Sequence, residues 1–253
     1  MHHIETLQSM NILVTRPSGL ESSLCSDIER LGGKTFHFPV IKIVAPKDIT
    51  SLNHAVQTIH SFDIAIFISP TAVTEASKHF DLSSLSLKIA AIGHSTASAL
   101  KQFALEVEII PEGNNSESLL DHVLLQSDKI KNKHIIIFKG EGGRNLLFET
   151  LTSRGAIVTD VNLYCRTIPT HYTPLSSEQI NKTDVILVTS GEGINNLLEM
   201  TENKSELLQK QMIVPGSRCL NIAKQHGFNN VVAADNATNP AFIDALLKLT
   251  DND

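Results

Sequence analysis

The sequence predicts an α/β protein built from two lobes, each with an open parallel sheet flanked by helices. Short apolar runs of strand type alternate with segments of helical periodicity, the pattern of parallel sheets covered by helices. These units recur at one long spacing along the 253 residues. Two extended, β-branched stretches, residues 35–44 and 156–167, separate the repeated blocks. We therefore expect these two stretches to cross between the lobes.

The repeat is seen in four pairs of positions: Ile12 and Ile135, Ser69 and Ser190, Gly93 and Gly216, Ser116 and Thr238. Their offsets are 121 to 123 residues, which indicates a duplicated domain and is far too long for a solenoid. One continuous sheet of eight or nine strands is the alternative. The repeat also leaves open whether the halves follow one another or are interleaved.

The first half of the chain shows clear element signals. Asp63–Ile68 is apolar without alternation, as in a parallel strand buried on both faces. Pro70 precedes one helix and Gly32–Gly33 end another, which are usual positions for these residues. Strands are predicted at 11–15, 63–68, 88–92 and 107–110, and helices at 20–31, 48–60, 72–80, 97–103 and 116–126.

The second half repeats these units. Strands are predicted at 134–138, 184–188, 211–214 and 230–233, and helices at 145–154, 219–226 and 239–249, with one more ending near residue 201. The ligand is predicted to lie in the cleft between the lobes. Tyr164, in the second crossing strand, is predicted to lie at the floor of that cleft.

Composition and charge argue against several classes of protein. No apolar run reaches the ~18 residues of a membrane span, and the polar N-terminus does not resemble a signal peptide, so we expect a cytosolic location. The net charge of -6 argues against general nucleic-acid binding. The three cysteines and 11 histidines lack the spacing of a disulfide framework or a metal site. We interpret His2–His3 as a solvated tail.

The candidate site lies at the carboxyl ends of the predicted strands, where open parallel sheets bind ligands. Small and hydroxylic residues stand there, each before a helix whose first N–H groups are unpaired. Several such turns on one side suit a ligand with several negative groups, although each turn alone is better explained by helix capping. These turns contain Arg16, Ser69, Pro70, Thr71, Gly93, His94, Ser95, Thr96, Lys139, Gly140, Ser190, Gly191, Gly216 and Ser217.

Four side chains could contribute chemistry of their own. Phenols have an ordinary pKa near ~10, so Tyr164 would keep its proton near neutral pH and could give it to a departing oxygen. Packing at a lobe junction is the alternative for Tyr164. Arg16 and Arg144 could pair with carboxylates, or be ordinary surface residues. His94 could act as an acid or base, or be a solvated turn residue. No phosphate-loop, GxSxG or HExxH motif is present.

Together the motifs resemble those of the uroporphyrinogen-III synthases over essentially the full length from Met10. The matching pieces are Ile12–Pro17, Phe67–Val73, Ala91–Ala97, Pro111 with Ser116–Leu119, Gly140–Arg144, Val161–Tyr164 and Val188–Ser190. Each piece is weak alone, but their order and spacing make the set specific. Two later turns, 190–193 and 214–219, depart from the family's usual residues.

The resemblance implies two flavodoxin-like lobes that are interleaved in the sequence. Lobe 1 would hold residues 10–38 and 168–253, and lobe 2 residues 45–157, with connecting strands at 39–44 and 158–167 and a flexible leader at 1–9. It implies closure of hydroxymethylbilane to uroporphyrinogen III, with loss of water and inversion of ring D. A monomer without metal or organic cofactor is expected.

The implied substrate is a linear polycarboxylate, which suits turns at helix N-termini. Tyr164 matches the family tyrosine that is thought to assist departure of the hydroxyl, and Ser69 and Thr96 match positions near the ligand. The predicted substrate-binding residues are Arg16, Ser69, Thr71, Ala72, His94, Ser95, Thr96, Gly140, Arg144, Ser190, Gly191 and Ser217.

The interpretation as a uroporphyrinogen-III synthase includes no nucleic-acid or membrane partner. It leaves open a transient contact with hydroxymethylbilane synthase. Two other classes are alternatives. One is a two-lobed binding protein for small anions without catalysis. The other is a receiver-like signalling repeat, which would need an acidic cluster where these strand ends carry Ser, Thr and Gly.

Overall fold

The computed structural model describes residues 6–250. It contains two five-stranded sheets, so the alternative of one continuous sheet is wrong. The chain divides into two units, the first formed by residues 1–42 and 167–253 and the second by residues 43–166. The first unit is thus assembled from both ends of the chain. The predicted fold class, two parallel-sheet α/β units interleaved in sequence, is confirmed.

The elements alternate between strand and helix along most of the chain. The strands are β1 (Asn11–Val14), β2 (Lys34–His37), β3 (Lys42–Val44), β4 (Ile64–Phe67), β5 (Lys88–Ala91), β6 (His134–Gly140), β7 (Ile157–Thr167), β8 (Val185–Leu187), β9 (Gln211–Pro215) and β10 (Val231–Ala234). The helices are α1 (Ser22–Arg30), α2 (Thr50–Thr58), α3 (Pro70–Ala76), α4 (His94–Lys101), α5 (Ser116–Leu120), α6 (Ser127–Ile130), α7 (Leu146–Ser153), α8 (Ser177–Lys182), α9 (Gly191–Glu199), α10 (Lys204–Leu207), α11 (Gly216–Gln225) and α12 (Asn239–Thr250).

The two sheets have related strand orders. The first runs β10-β9-β8-β1-β2 and the second runs β3-β7-β6-β4-β5. Counted along the chain, the strands of the first sheet have the order 2-1-3-4-5, which is the flavodoxin-like arrangement. The internal repeat matches β7-β6-β4-β5 of the second sheet to β2-β1-β8-β9 of the first. The second sheet therefore has the same spatial arrangement, but the chain enters it at a different strand. β3 is an additional strand at its edge. Pairings within β4–β7, and within the first sheet, are parallel.

The sheet of the second unit is buried on both faces. Phe67 and Phe138 pack on one face with α2, α3 and α4, and their ring centroids are 4.9 Å apart. Ile66 and Ile137 face the opposite side, where α5, α6 and α7 cover them. All four residues of β4 are buried, which explains why its sequence is apolar without alternation.

The core of the first unit begins before the predicted start of the fold. Leu7 is fully buried, packs with Ile12 and Phe242, and its N–H donates to the Leu31 carbonyl at 2.8 Å. The packed fold therefore begins at least three residues before Met10, because an apolar side chain at this position completes the core. Residues 1–5 of the predicted leader, including the His2–His3 pair, lie outside the described residues.

Four helices begin earlier than the sequence pattern predicts. α3 starts at Pro70, α4 at His94, α9 at Gly191 and α11 at Gly216, so residues predicted as turns form the first turns of these helices. These first turns are rich in small and polar residues, which carry no apolar periodicity. The pattern therefore registers each helix only from its first apolar residue.

Other differences come from local breaks in hydrogen bonding. Residues 35–44 form two strands, β2 and β3, one in each sheet, separated by a segment that contains Pro39, which has no N–H to donate. The strand predicted at 107–110 is reduced to a single bridge from Ile109 to Ala90. The helix predicted at 116–126 stops at Leu120, and Asn115 rather than Ser116 caps it.

Three short helices, α6, α8 and α10, lie outside the predicted helices. α8 begins with a capping box in which Ser176 and Gln179 satisfy each other's backbone N–H groups, a signal that was present in the sequence. Among residues 6–250, no helix is long and apolar enough to cross a membrane.

Candidate functional site

Tyr164 lies near the end of β7 and is only 4% exposed. Its ring belongs to the core on one face of the second unit's sheet. Its hydroxyl oxygen lies 3.1 Å from Ser69 Oγ, a hydrogen bond that joins residues 95 positions apart. The ring therefore packs, as one alternative predicts, while the phenol is paired with another residue of the predicted site.

Ser69 stands between β4 and α3 and caps the helix. Its Oγ accepts a hydrogen bond from the Ala72 N–H at 3.0 Å. Pro70 occupies the first helical position, where the missing N–H costs nothing. Thr71 is half-buried and Ala72 is buried in the same first turn. The end of β4 thus presents Ser69, Thr71 and Ala72 together.

Gly140 ends β6 and lies directly against the ring of Tyr164. The two residues are paired across a register shift between the strands. A β-carbon at Gly140 would lie 2.6 Å from Cε2 and Cζ of Tyr164 and 3.0 Å from its hydroxyl oxygen. The Glu141 N–H donates to the Tyr164 carbonyl at 2.7 Å, which fixes the backbone at the same point. Only glycine fits beneath the ring.

The first turn of α4 supplies three more of the predicted residues. His94 and Ser95 are exposed, whereas Thr96 is fully buried. The Asn114 side-chain oxygen accepts a hydrogen bond from the His94 N–H at 3.2 Å. Thr96 Oγ1 is buried and has no hydrogen-bond partner among the described residues. Because β5 pairs with β4, this turn lies beside the turn of Ser69.

Arg144 follows a turn in which Gly142 and Gly143 have positive φ values of 82° and 89°. Its guanidinium binds both carboxylate oxygens of Glu117, at 2.5 and 3.0 Å. Both side chains are largely exposed, at 65% and 51%. The hydrogen bond from Arg144 lowers the pKa of Glu117, and Glu117 raises the pKa of Arg144. Arg144 is thus a surface cation that is already paired with the carboxylate of Glu117.

Lys139 stands at a predicted strand end but is not among the predicted substrate-binding residues. It is 8% exposed, and its Nζ lies 2.7 Å from Asp160 Oδ2 on the neighbouring strand. Asp160 Oδ1 and Asn162 Oδ1 are both buried without a hydrogen-bond partner among the described residues. Two features of the sequence could have indicated this buried polar group. One is a lysine at the end of an apolar strand, and the other is the pair Asp160 and Asn162, two positions apart in β7.

In the first unit, Arg16 follows β1, and its guanidinium binds backbone and side-chain oxygens. One terminal nitrogen donates to Asn239 Oδ1 at 2.6 Å and the other to the Ala237 carbonyl at 2.9 Å. The guanidinium also lies 5.8 Å from the ring centroid of Phe242. Burial lowers the pKa of Arg16. The structure therefore ties Arg16 to the start of α12.

The ends of β8 and β9 hold the other predicted residues of the first unit. Ser190 caps α9, since its Oγ accepts a hydrogen bond from the Gly193 N–H at 3.0 Å. Gly191 is buried, and a β-carbon there would lie 2.6 Å from Cδ1 of Ile222. Ser217 is exposed in the first turn of α11. Because β8 pairs with β9 and with β1, these turns lie at the same edge of one sheet as Arg16.

Within the described part of the chain, no group of three or more His, Cys, Asp or Glu side chains could hold a metal ion. Cys25, Cys165 and Cys219 are free thiols. Burial raises the pKa of Cys25 and of Cys219, which disfavours their reactive thiolate forms. The strand-end turns, rather than thiols or acidic clusters, are the chemically distinctive feature.

Each unit thus carries a row of hydroxyl- and glycine-rich turns at the carboxyl ends of parallel strands. This arrangement defines a two-unit α/β protein of ligand-binding type, whose turns suit an anionic small molecule. A family model described as uroporphyrinogen-III synthase HemD matches residues 22–244. The chain belongs to the uroporphyrinogen-III synthase family.

Curated relatives agree with this assignment over nearly the whole chain. The uroporphyrinogen-III synthase of Salmonella typhimurium is 32% identical over 248 residues, which cover 94% of this chain and 100% of the relative. That of Escherichia coli is 30% identical over 250 residues, with the same coverage. The predicted family resemblance is therefore confirmed.

Solved structures show the same fold at much lower sequence identity. A mutant uroporphyrinogen III synthase from Thermus thermophilus has a TM-score of 0.57 at 14% identity and covers 96% of this chain and 100% of that one. A uroporphyrinogen-III synthetase from Helicobacter pylori has a TM-score of 0.58 at 15% identity, covering 95% and 99%. These likenesses concern the fold alone.

Proposed function

We propose that this protein is the uroporphyrinogen-III synthase of its organism and closes hydroxymethylbilane to uroporphyrinogen III. The observation that carries the proposal is the family match over residues 22–244, together with two curated relatives of that name matched over their full length. In reaction terms the protein is a hydro-lyase in tetrapyrrole and haem biosynthesis. It works on a free substrate in the cytoplasm, as a monomer, without metal or organic cofactor.

The chemistry begins with departure of the hydroxyl group from ring A. The Tyr164 phenol gives its proton to that hydroxyl, which leaves as water, and the ring becomes a cationic azafulvene. Ring D then attacks the carbon that carried the hydroxyl group. It does so through its already substituted position, which forms a spiro intermediate. Fragmentation and reclosure at the free position of ring D release a proton, which restores the phenol. The net change is loss of one water and inversion of ring D.

Positioning accounts for the choice of isomer. The unaided reaction gives mostly isomer I, so the protein must hold the chain folded with ring D poised for attack at its substituted carbon. In the second unit, the turns that contain Thr71, Ser95 and Thr96 offer hydroxyl and backbone N–H groups at adjacent strand ends. Such groups bind carboxylates without the large desolvation cost of a buried cation.

Charge does not draw this substrate to the protein at long range. The net charge of -6 repels a polycarboxylate, and the Debye length of ~8 Å at physiological salt limits any remote effect. Local groups must therefore supply the affinity. Arg144 is the exposed cation of the predicted set, and a substrate carboxylate that reaches it replaces Glu117.

The test is to incubate the purified protein with freshly prepared hydroxymethylbilane, oxidise the product and separate the porphyrin isomers. We expect type III in clear excess over a control without protein. Isomer I alone, in the amount of that control, would refute the proposal. Binding of hydroxymethylbilane with no change in the isomer ratio would identify a non-catalytic binding protein instead.

A further inference from the structure

We propose that Ser69 and Gly140 are positioning residues that act through the Tyr164 phenol, with Ser69 as a hydrogen-bond donor to the phenol oxygen. This inference rests on the proposed function and deepens it. The hydroxyl oxygens of Ser69 and Tyr164 are 3.1 Å apart, and Tyr164 is 4% exposed, so little water competes for this bond. The sequence had predicted that Ser69 binds substrate directly.

Either oxygen of the Ser69–Tyr164 pair could be the donor, and the role proposed for Tyr164 decides the direction. Ser69 Oγ already accepts from the Ala72 N–H at 3.0 Å, which leaves its own O–H to be donated. If Tyr164 gives its proton to the departing hydroxyl, its oxygen can only accept from Ser69. The Ser69–Tyr164 bond then becomes charge-assisted as negative charge develops on the phenol oxygen. Ser69 thus stabilises the transition state more than the ground state, which lowers the barrier.

Gly140 limits the position of the Tyr164 ring by direct contact. A β-carbon at this position would lie 2.6 Å from Cε2 and Cζ of Tyr164 and would push the ring out of place. The bond from the Glu141 N–H to the Tyr164 carbonyl, 2.7 Å, prevents the β7 backbone from yielding at this point. The phenol oxygen therefore lies close to both the Ser69 hydroxyl and the Gly140 backbone.

The internal repeat separates this role from ordinary helix capping. Ser190, the counterpart of Ser69, caps α9 with the same contact, its Oγ accepting from Gly193 N–H at 3.0 Å. The repeat offset of 123 residues places Ile41 where the second unit has Tyr164, and Ile41 has no side-chain hydrogen-bonding group. Capping is thus common to both units, whereas the serine–phenol pair is an addition in the second unit.

The first experiment compares Ser69→Ala, Ser69→Gly, Ser69→Thr and Tyr164→Phe with Ser69→Ala/Tyr164→Phe. Glycine retains capping ability but has no hydroxyl, and threonine restores the donor. We expect alanine and glycine each to lower kcat about tenfold, with KM changed less than about twofold, and threonine to recover most of kcat. In the Tyr164→Phe background, loss of the Ser69 hydroxyl should cost less than about twofold.

Equal losses from Ser69→Ala in the two backgrounds would overturn the inference, since Ser69 would then act on the substrate or on the fold. A rise in KM at unchanged kcat would overturn it in the same way. Wild-type turnover in Tyr164→Phe would also overturn the inference, because it would remove the phenol from the proposed reaction. The isomer assay with wild-type protein tests the proposed function independently of all these variants.

A second experiment tests Gly140 with a control for stability. Gly140→Ala should lower kcat about tenfold in the wild type and less than about twofold in Tyr164→Phe, although the ring collides with the new methyl group in both. Ser176→Ala removes a serine cap from α8, away from the predicted site, and should lower Tm while kcat is unchanged. If Gly140→Ala lowers kcat equally in both backgrounds, Gly140 serves the fold alone and this half of the inference fails.

Discussion

Lys139 Nζ lies 2.7 Å from Asp160 Oδ2, and this ion pair is largely withdrawn from water, with side-chain exposures of 10% and 26%. It joins β6 to β7 just before the register shift that brings Gly140 against Tyr164. Removing one partner leaves the other charge desolvated. We therefore expect Lys139→Met to lower the free energy of unfolding by about 2 kcal/mol, measured by urea denaturation.

The double variant Lys139→Met/Asp160→Leu should recover much of this loss, because two apolar side chains of similar size need no compensation. Lys182→Met is the control. Lys182 pairs with Glu178 on the exposed face of α8, and its loss should change stability by less than about 0.5 kcal/mol. A Lys139→Met protein as stable as the wild type would show that the pair contributes nothing.

The Arg144–Glu117 pair predicts opposite effects of two neutralising variants. Arg144→Gln should raise KM for hydroxymethylbilane several-fold at unchanged kcat, because a contact made equally in ground and transition states is lost. Glu117→Gln should lower KM, because the substrate no longer competes with an internal carboxylate. Steady-state kinetics at low salt measures both effects.

The control for the loss of one positive charge is Lys182→Gln, also an exposed cation paired with a carboxylate. Its KM should remain that of the wild type. If Arg144→Gln and Lys182→Gln raise KM equally, the effect is one of net charge, and Arg144 does not contact the substrate.

Arg16 gives a prediction about stability. It binds the Asn239 side chain and the Ala237 carbonyl with two separate nitrogens, and a lysine cannot reproduce this fork. We expect Arg16→Lys to lower the free energy of unfolding by about 1–2 kcal/mol. Thermal or urea denaturation measures this. A variant of unchanged stability and raised KM would instead support the sequence-based prediction that Arg16 binds substrate carboxylates.

Asp63 predicts how stability depends on pH. Its carboxylate accepts hydrogen bonds from Lys133 Nζ and the His134 N–H, both at 2.8 Å, and the bond from Lys133 is the main reason that the pKa of Asp63 is lowered. A lowered folded-state pKa means that this contribution is complete above the unfolded value of about 3.9 and is lost as pH falls through the folded value.

We expect Asp63→Asn to lower Tm at pH 7 and to differ progressively less from the wild type as the pH is lowered below about 4. Thermal denaturation at pH 7 and pH 3 measures the two differences. An equal difference at both pH values would show that the charge of Asp63 is not the origin of its contribution.

Much of the fold could be predicted because its signals are local. The strand at Ile64–Phe67 is fully buried. Its continuous apolar run predicts this burial without information about the strands that pair with it. Ser69 and Ser190 stand at the same offset as the strands before them, so the duplication was visible too. The strand predicted at Val107–Ile110 did not form, because its composition suits a strand but only Ile109 makes a β-bridge, to Ala90.

The sequence by itself determined the α/β class, the duplicated units and the strand-end turns, since periodicity and composition depend on near neighbours. The tertiary structure alone decided which of these residues meet. Ser69 reaches Tyr164 across 95 residues, and Arg16 reaches Asn239 across 223. Such contacts depend on strand order and register, which bring distant segments together and leave no trace in the local pattern.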